Sequence, residues 1–190
     1  MRPHTMNNLK SNLSIFIFLF LIFNLPTYAE TNSKPQENKI ISVVNSKTCF
    51  KLKNTNAPFI LVLKRGENVI EKISDCIKTL NIPGAALQGV GALEQPTLAY
   101  YNLEKQQYVN KTFPGVFELI ALNGDIAYAK NHELVLHTHV VLGNDQYQAI
   151  GGHLISARVG VTAEITVIPL RGIVRRELDK ETGLKLITAE

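Results

Sequence analysis

Cysteine is scarce in this 190-residue chain, and runs of basic residues are scarcer still. Only Cys49 and Cys76 occur, too few for a four-cysteine zinc site. Beyond the pair Arg175-Arg176 there is no basic run, and the formal charge is only +4. A surface that neutralises many phosphates needs clustered Lys and Arg, so composition weighs against nucleic acid as a tight partner. The sequence contains no internal repeat, and its single long apolar run, LSIFIFLFLIFNL at residues 13–25, is too short for a comfortable membrane span.

That run has another meaning. It follows Arg2 and Lys10 and leads into Pro26-Thr27-Tyr28-Ala29, the pattern of a secretory signal peptide cleaved after a small residue. Asn24 and Pro26 interrupt it as an anchor helix, and no cysteine follows to carry a lipid. Residues 1–29 therefore read as a signal peptide, and the mature protein as exported, periplasmic or extracellular, with no stable membrane anchor. Cleavage removes Arg2 and Lys10 but no acid, lowering the formal charge from +4 to +2. Residues 30–56 form a polar N-terminal segment that begins with ETNSKPQENK, and residues 57–190 form one globular domain with enough apolar side chains for a core. An even pair of cysteines in an oxidising compartment points to a disulfide. A buried helical thiol at Cys76 is the alternative, because spacing alone does not bring two Cα atoms into range.

Histidine is the residue type whose placement stands out. Residues 134–142, LVLHTHVVL, are a β-branched and leucine-rich run ending at Gly-Asn-Asp, which predicts a strand. Side chains alternate along a strand, so His137 and His139 share a face about 6.5 to 7 Å apart along it. His153 follows Gly151-Gly152, residues that allow a tight turn or a close backbone approach. Three converging neutral imidazoles suit a divalent metal, zinc foremost, and leave a coordination position for water or substrate. The competing reading is core histidines satisfied by backbone groups.

Elsewhere, residues 58–64 predict a strand. Asn68-Val69-Ile70-Glu71 resembles a capping box, and Val69, Ile70, Ile73, Cys76, Ile77 and Leu80 recur at helical spacing, with Ile82-Pro83-Gly84 as the stop. Strands are expected at 85–93, with Gly89 and Gly91 marking a bulge or close packing, and in a hairpin of 98–102 with 107–112. Residues 116–122 and 126–129 read as a second hairpin about Asn123-Gly124, then come the histidine strand, a Gly-Gly-His turn and a strand at 162–169. The fold class is α+β, a mostly antiparallel twisted sheet with one main helix packed on it. Glu118, between Val116 and Ile120, is a candidate to orient a histidine or transfer protons, or else an edge carboxylate facing water. His132 lies in a polar loop and reads as exposed.

Several ordered motifs carry a family resemblance: Gly66-Glu67-Asn68-Val69, Gly89-Val90-Gly91-Ala92-Leu93, Glu118-Leu119-Ile120-Ala121-Leu122-Asn123-Gly124, Leu136-His137-Thr138-His139-Val140, Gly151-Gly152-His153-Leu154 and Thr162-Ala163-Glu164. Together they resemble the plant and prokaryote conserved (PPC) domain over about residues 59–187. The resemblance implies a compact homotrimeric α+β domain. It also raises DNA binding, because plant relatives bind DNA through an AT-hook, but no Arg-Gly-Arg-Pro hook occurs here and the signal peptide directs the chain away from the chromosome. The fold is also similar to that of acetolactate decarboxylases, in which a His-x-His pair and a later His hold zinc, although fold likeness does not transfer an activity. Three functions follow as expectations: an exported zinc-binding protein acting on a small oxygen-rich molecule, a DNA-binding protein, or a non-catalytic trimeric interaction module.

Overall fold

The computed structural model describes residues 41–188; the signal peptide expected at 1–29 and the first part of the polar segment, 30–40, lie outside them. The elements run β1 (Ser42–Asn45), a 3-10 turn (Cys49–Lys51), β2 (Phe59–Lys64), α1 (Val69–Leu80), β3 (Ala85–Asn102), β4 (Gln107–Thr112), β5 (Val116–Ala129), β6 (Leu134–Gly143), β7 (Ala149–Pro169), β8 (Arg175–Leu178) and β9 (Lys185–Ile187). Among the described residues this is the α+β arrangement expected, one α-helix and a mostly antiparallel sheet, in which only β1 with β2 and β5 with β8 run parallel. The sheet starts before residue 57, because β1 pairs with β2.

Strands β3, β5, β6 and β7 close a circuit, each hydrogen-bonded to the next and β7 back to β3. Closure removes the free edges of these central strands. The alternate residues Phe59, Leu61 and Leu63 of β2 are fully buried, as period-two alternation requires. Helix α1 buries Val69, Ile73, Cys76 and Ile77 against the same core. Its N-terminus is capped by Asn68, whose side chain accepts from the Glu71 N–H at 3.1 Å. The reciprocal half of the capping box is replaced by an ion pair of Glu71 with Lys72 at 2.7 Å. The helix ends at Asn81, left-handed at φ 51°, one residue ahead of the expected Ile-Pro-Gly stop; asparagine tolerates this conformation well. Cys49 and Cys76 form a disulfide with Cα atoms 5.7 Å apart, tying the 3-10 turn to the helix.

The β3–β4 hairpin forms as expected, with Asn102 opposite Gln107. Residues 85–93 and 98–102 belong to one strand, which bends through register shifts, one of them between Gly89 and Gly91. Two expected turns are straight strand. Asn123-Gly124 lies inside β5, which is paired on both sides, with Gly124 opposite Leu87 and Thr138. Here glycine serves close approach, since a Cβ at Gly124 would sit 2.2 Å from the His137 carbonyl oxygen. Gly151-Gly152-His153 likewise lies inside β7, and the turn falls earlier, where the Asn144 side chain accepts from the Gln146 and Gln148 N–H groups at 3.0 and 2.8 Å. This asparagine-built turn satisfies the backbone locally, so β7 continues unbroken through the two glycines.

Candidate metal centre

Strand β6 divides its side chains between two environments. Thr138, Val140 and Leu142 are buried, whereas His137 and His139 occupy the other face. Register then assembles the site: His139 is the cross-strand partner of His153 on β7, and His137 that of Asp125 on β5. The three imidazoles converge, with ring centroids 5.0 to 5.3 Å apart. His137 Nε2 and His139 Nε2 are 3.2 Å apart, and one ligand atom from each histidine lies within 4.8 Å of the others. Two tetrahedral nitrogen ligands at zinc's usual bond length stand about 3.3 Å apart, so the first pair is already at coordination spacing. His153 Nδ1 is buried with no hydrogen-bond partner, a donor set that suits a borderline-soft divalent ion.

The electrostatics favour the neutral form of two of the imidazoles, His153 and His139. Burial, reinforced by His137, His139 and Arg176, pushes His153 down to about 4. Burial and then His137 also lower His139. Neutral rings at pH 7 are what a metal requires of its ligands. Beside them, burial pushes the Asp125 carboxyl up, but hydrogen bonds with His137 and Arg176 and their charges outweigh it and hold the group below the usual carboxylate range.

Around the histidines are side chains that the sequence did not assign to the site. Arg176, only 5 % exposed, brings Nη2 to 2.7 and 2.9 Å from the two Asp125 oxygens and to 3.1 Å from His137 Nδ1. Tyr108 stacks on His153 with centroids 5.1 Å apart. A cleft of about 310 Å³ opens here, lined by Tyr108, His137, His153, Arg176, Leu184 and Lys185 among others. Glu118 is not brought to the cluster: it is exposed and pairs with Ala92 and Gly143. Gly143 is four residues beyond His139 along β6, about 13 Å at strand rise. The carboxylate beside a histidine is Asp125, hidden from sequence reading by its place next to the misleading Asn-Gly pair. His132, φ 63°, is exposed in a turn as expected.

Fold and cluster define a class, a one-helix α+β domain with three converging imidazoles on the outer face of its sheet. The chain belongs to the Plants and Prokaryotes Conserved domain family, whose model matches residues 51–171. It is similar to a plant- and prokaryote-conserved protein of Pyrococcus horikoshii, with TM-score 0.66 and 31 % identity over 70 % of this chain and 92 % of that one. It is equally similar to a metal-containing protein of Archaeoglobus fulgidus, with TM-score 0.66 and 31 % identity over 72 % and 96 %. A candidate DNA-binding protein of Bacteroides thetaiotaomicron aligns with TM-score 0.68 and 26 % identity over 72 % and 94 %. No curated protein matches the chain.

Proposed function

We propose that this protein binds one divalent ion, zinc foremost, through His137, His139 and His153, and that the centre acts on a small oxygen-rich molecule admitted by the adjacent cleft. The observation that carries the reading is the convergence of three imidazoles from two strands, two of them with Nε2 atoms 3.2 Å apart. The metal-containing archaeal relative supports it. A bound zinc supplies Lewis acidity or an activated water; the protein supplies neutral imidazoles, the Tyr108 ring against His153 and a cleft with Arg176 and Lys185 in its walls. Glu118, far along the sheet, is left without a role at this centre. The test is elemental analysis of the mature protein purified without added metal or a histidine tag. About one divalent ion per chain is expected, and a metal-free product at neutral pH would overturn the reading.

The same proposal places the mature chain outside the cytoplasm. The N-terminal pattern at residues 1–29 supports this, as does the Cys49–Cys76 pairing, which suits an oxidising compartment. Intact-mass measurement should find the first 29 residues missing. It also takes the working form as a homotrimer, with exposed Val116, Ile120 and Val141 on neighbouring β5 and β6 as apolar surface for a contact between copies. Light scattering should give three times the monomer mass. DNA binding, the reading suggested by the relative from Bacteroides thetaiotaomicron, takes second place because the mature charge is thin, and any affinity should be weak and sequence-independent.

A further inference from the structure

We propose that Asp125 and Arg176 are the positioning pair of the metal site, which makes the C-terminal hairpin β8–β9, beyond the residues matched by the family model, a part of that site. The inference rests on the metal reading above. For neutral His137 to offer Nε2 to an ion, its ring proton must sit on Nδ1, where an acceptor fixes both tautomer and ring orientation. Two groups face that nitrogen: Asp125 Oδ2 at 3.5 Å and Arg176 Nη2 at 3.1 Å. A guanidinium only donates, so its 3.1 Å contact makes Nδ1 an acceptor in the metal-free protein. Once Nε2 is given to an ion the ring proton must move to Nδ1, and Asp125 Oδ2 is the acceptor beside it that can take that proton in a hydrogen bond. Arg176 holds the carboxylate in place.

Arg176 is itself fixed from several sides. Its Nη2 reaches both Asp125 oxygens, and its Nη1 donates to the Lys185 carbonyl on β9 at 2.9 Å. Strand β8 pairs with β5 at Tyr128 and Ala129, and with β9 along its other edge. The connection between the two strands is tied to the β3–β4 hairpin: the Tyr101 hydroxyl donates to the Thr182 carbonyl and Gln106 Nε2 to the Glu181 carbonyl at 2.7 Å. An unbroken line of contacts therefore runs from β9 through Arg176 and Asp125 to a ring nitrogen of His137. A purely structural ion pair would need only the first two partners; this one is aimed at a candidate ligand.

The test is zinc affinity of the mature protein, measured against a competing chelator, together with the ring nitrogen resonances of His137 in the zinc-loaded form. Asp125→Ala should weaken zinc binding about 10- to 100-fold and remove the Nδ1-protonated signature of His137. Asp125→Asn, which keeps an accepting oxygen, should lose less. Glu133→Gln breaks the surface pair with Lys185 at 2.8 Å on the same hairpin and should leave affinity unchanged. Because Asp125→Ala leaves a buried guanidinium without its carboxylate, the double variant Asp125→Asn with Arg176→Met, which removes both charges, provides a second folded comparison and should also bind zinc more weakly. If Asp125→Ala and the double variant match the parent in affinity and His137 tautomer, the positioning pair is overturned while the metal reading stands. A parent that binds no zinc overturns both.

Discussion

Around helix α1 and strand β2 the molecule buries Phe59, Leu61, Leu63, Ile73 and Ile77 completely, whereas on the outer face of β5, β6 and β7 it gathers three histidines, an aspartate and a buried arginine. The first region is held by apolar burial and a disulfide, which cost little to keep together once water is excluded. The second concentrates polar groups whose desolvation is unfavourable unless every partner is in place. The contrast separates what keeps the domain folded from what it offers to a ligand. One region should respond to mutations in stability, the other in metal content.

The largest expected effect falls on the cluster. His139→Ala removes one of three ligands and should abolish stoichiometric metal binding, while His132→Ala, in an exposed turn, should leave it intact. Elemental analysis of both variants decides. Neither should shift the urea midpoint of metal-free protein by much, since His139 is exposed; a collapse in stability with His139→Ala would dissolve the distinction between the two regions. On the apolar side, replacing both Cys49 and Cys76 by alanine should cost about 3 to 4 kcal/mol if loop-closure entropy dominates, with metal content unchanged. Equilibrium unfolding of parent and variant measures it, and an unchanged midpoint would show that the link between helix and 3-10 turn is energetically idle. Asn68→Ala should cost about 1 kcal/mol through loss of the helix cap, again with no change in metal.

The same division governs how much was legible in the sequence. Helix α1 announces itself through local chemistry, the Asn68 cap and apolar residues at three and four, and the β3–β4 hairpin also falls where short-range arguments put it. The two cysteines, by contrast, left a disulfide and a buried helical thiol equally open until the fold set their Cα atoms 5.7 Å apart. The histidine cluster was half legible: period two places His137 and His139 on one face, but only β7 pairing brings His153 opposite His139. Asn123-Gly124 misled because a strong turn signal is local, whereas β5 has partners on both sides that fix it as a strand; the glycine is there for the backbone of His137. Gly151-Gly152 misled for the same reason. Asp125 and Arg176 are 51 residues apart in sequence and meet only through the parallel pairing of β5 with β8, a contact that no period or motif foretells.

Acid should reveal the contrast most gently. His153 is held down to about 4 by burial first and then by the nearby His137, His139 and Arg176, against about 6.5 in an unfolded chain. Between those values the unfolded chain binds the proton more readily than the folded one, so unfolding becomes easier as pH falls. The stability of metal-free protein is thus fully present above pH 6.5, declines as pH drops from 6.5 towards 4, and loses nothing more to this group below that. Asp125, held low, adds a further loss only in the carboxylate range. Because His153 is partly open to solvent, screening keeps the effect small, and no corresponding loss in the 6.5 to 4 window should arise from the apolar core around α1, which contains no histidine. Urea midpoints of chelator-treated protein at pH 7 and pH 4.5 measure the decline. His153→Gln, which removes the titrating ring, should flatten the profile, and a variant that keeps the parent's full slope would locate the acid sensitivity elsewhere in the molecule.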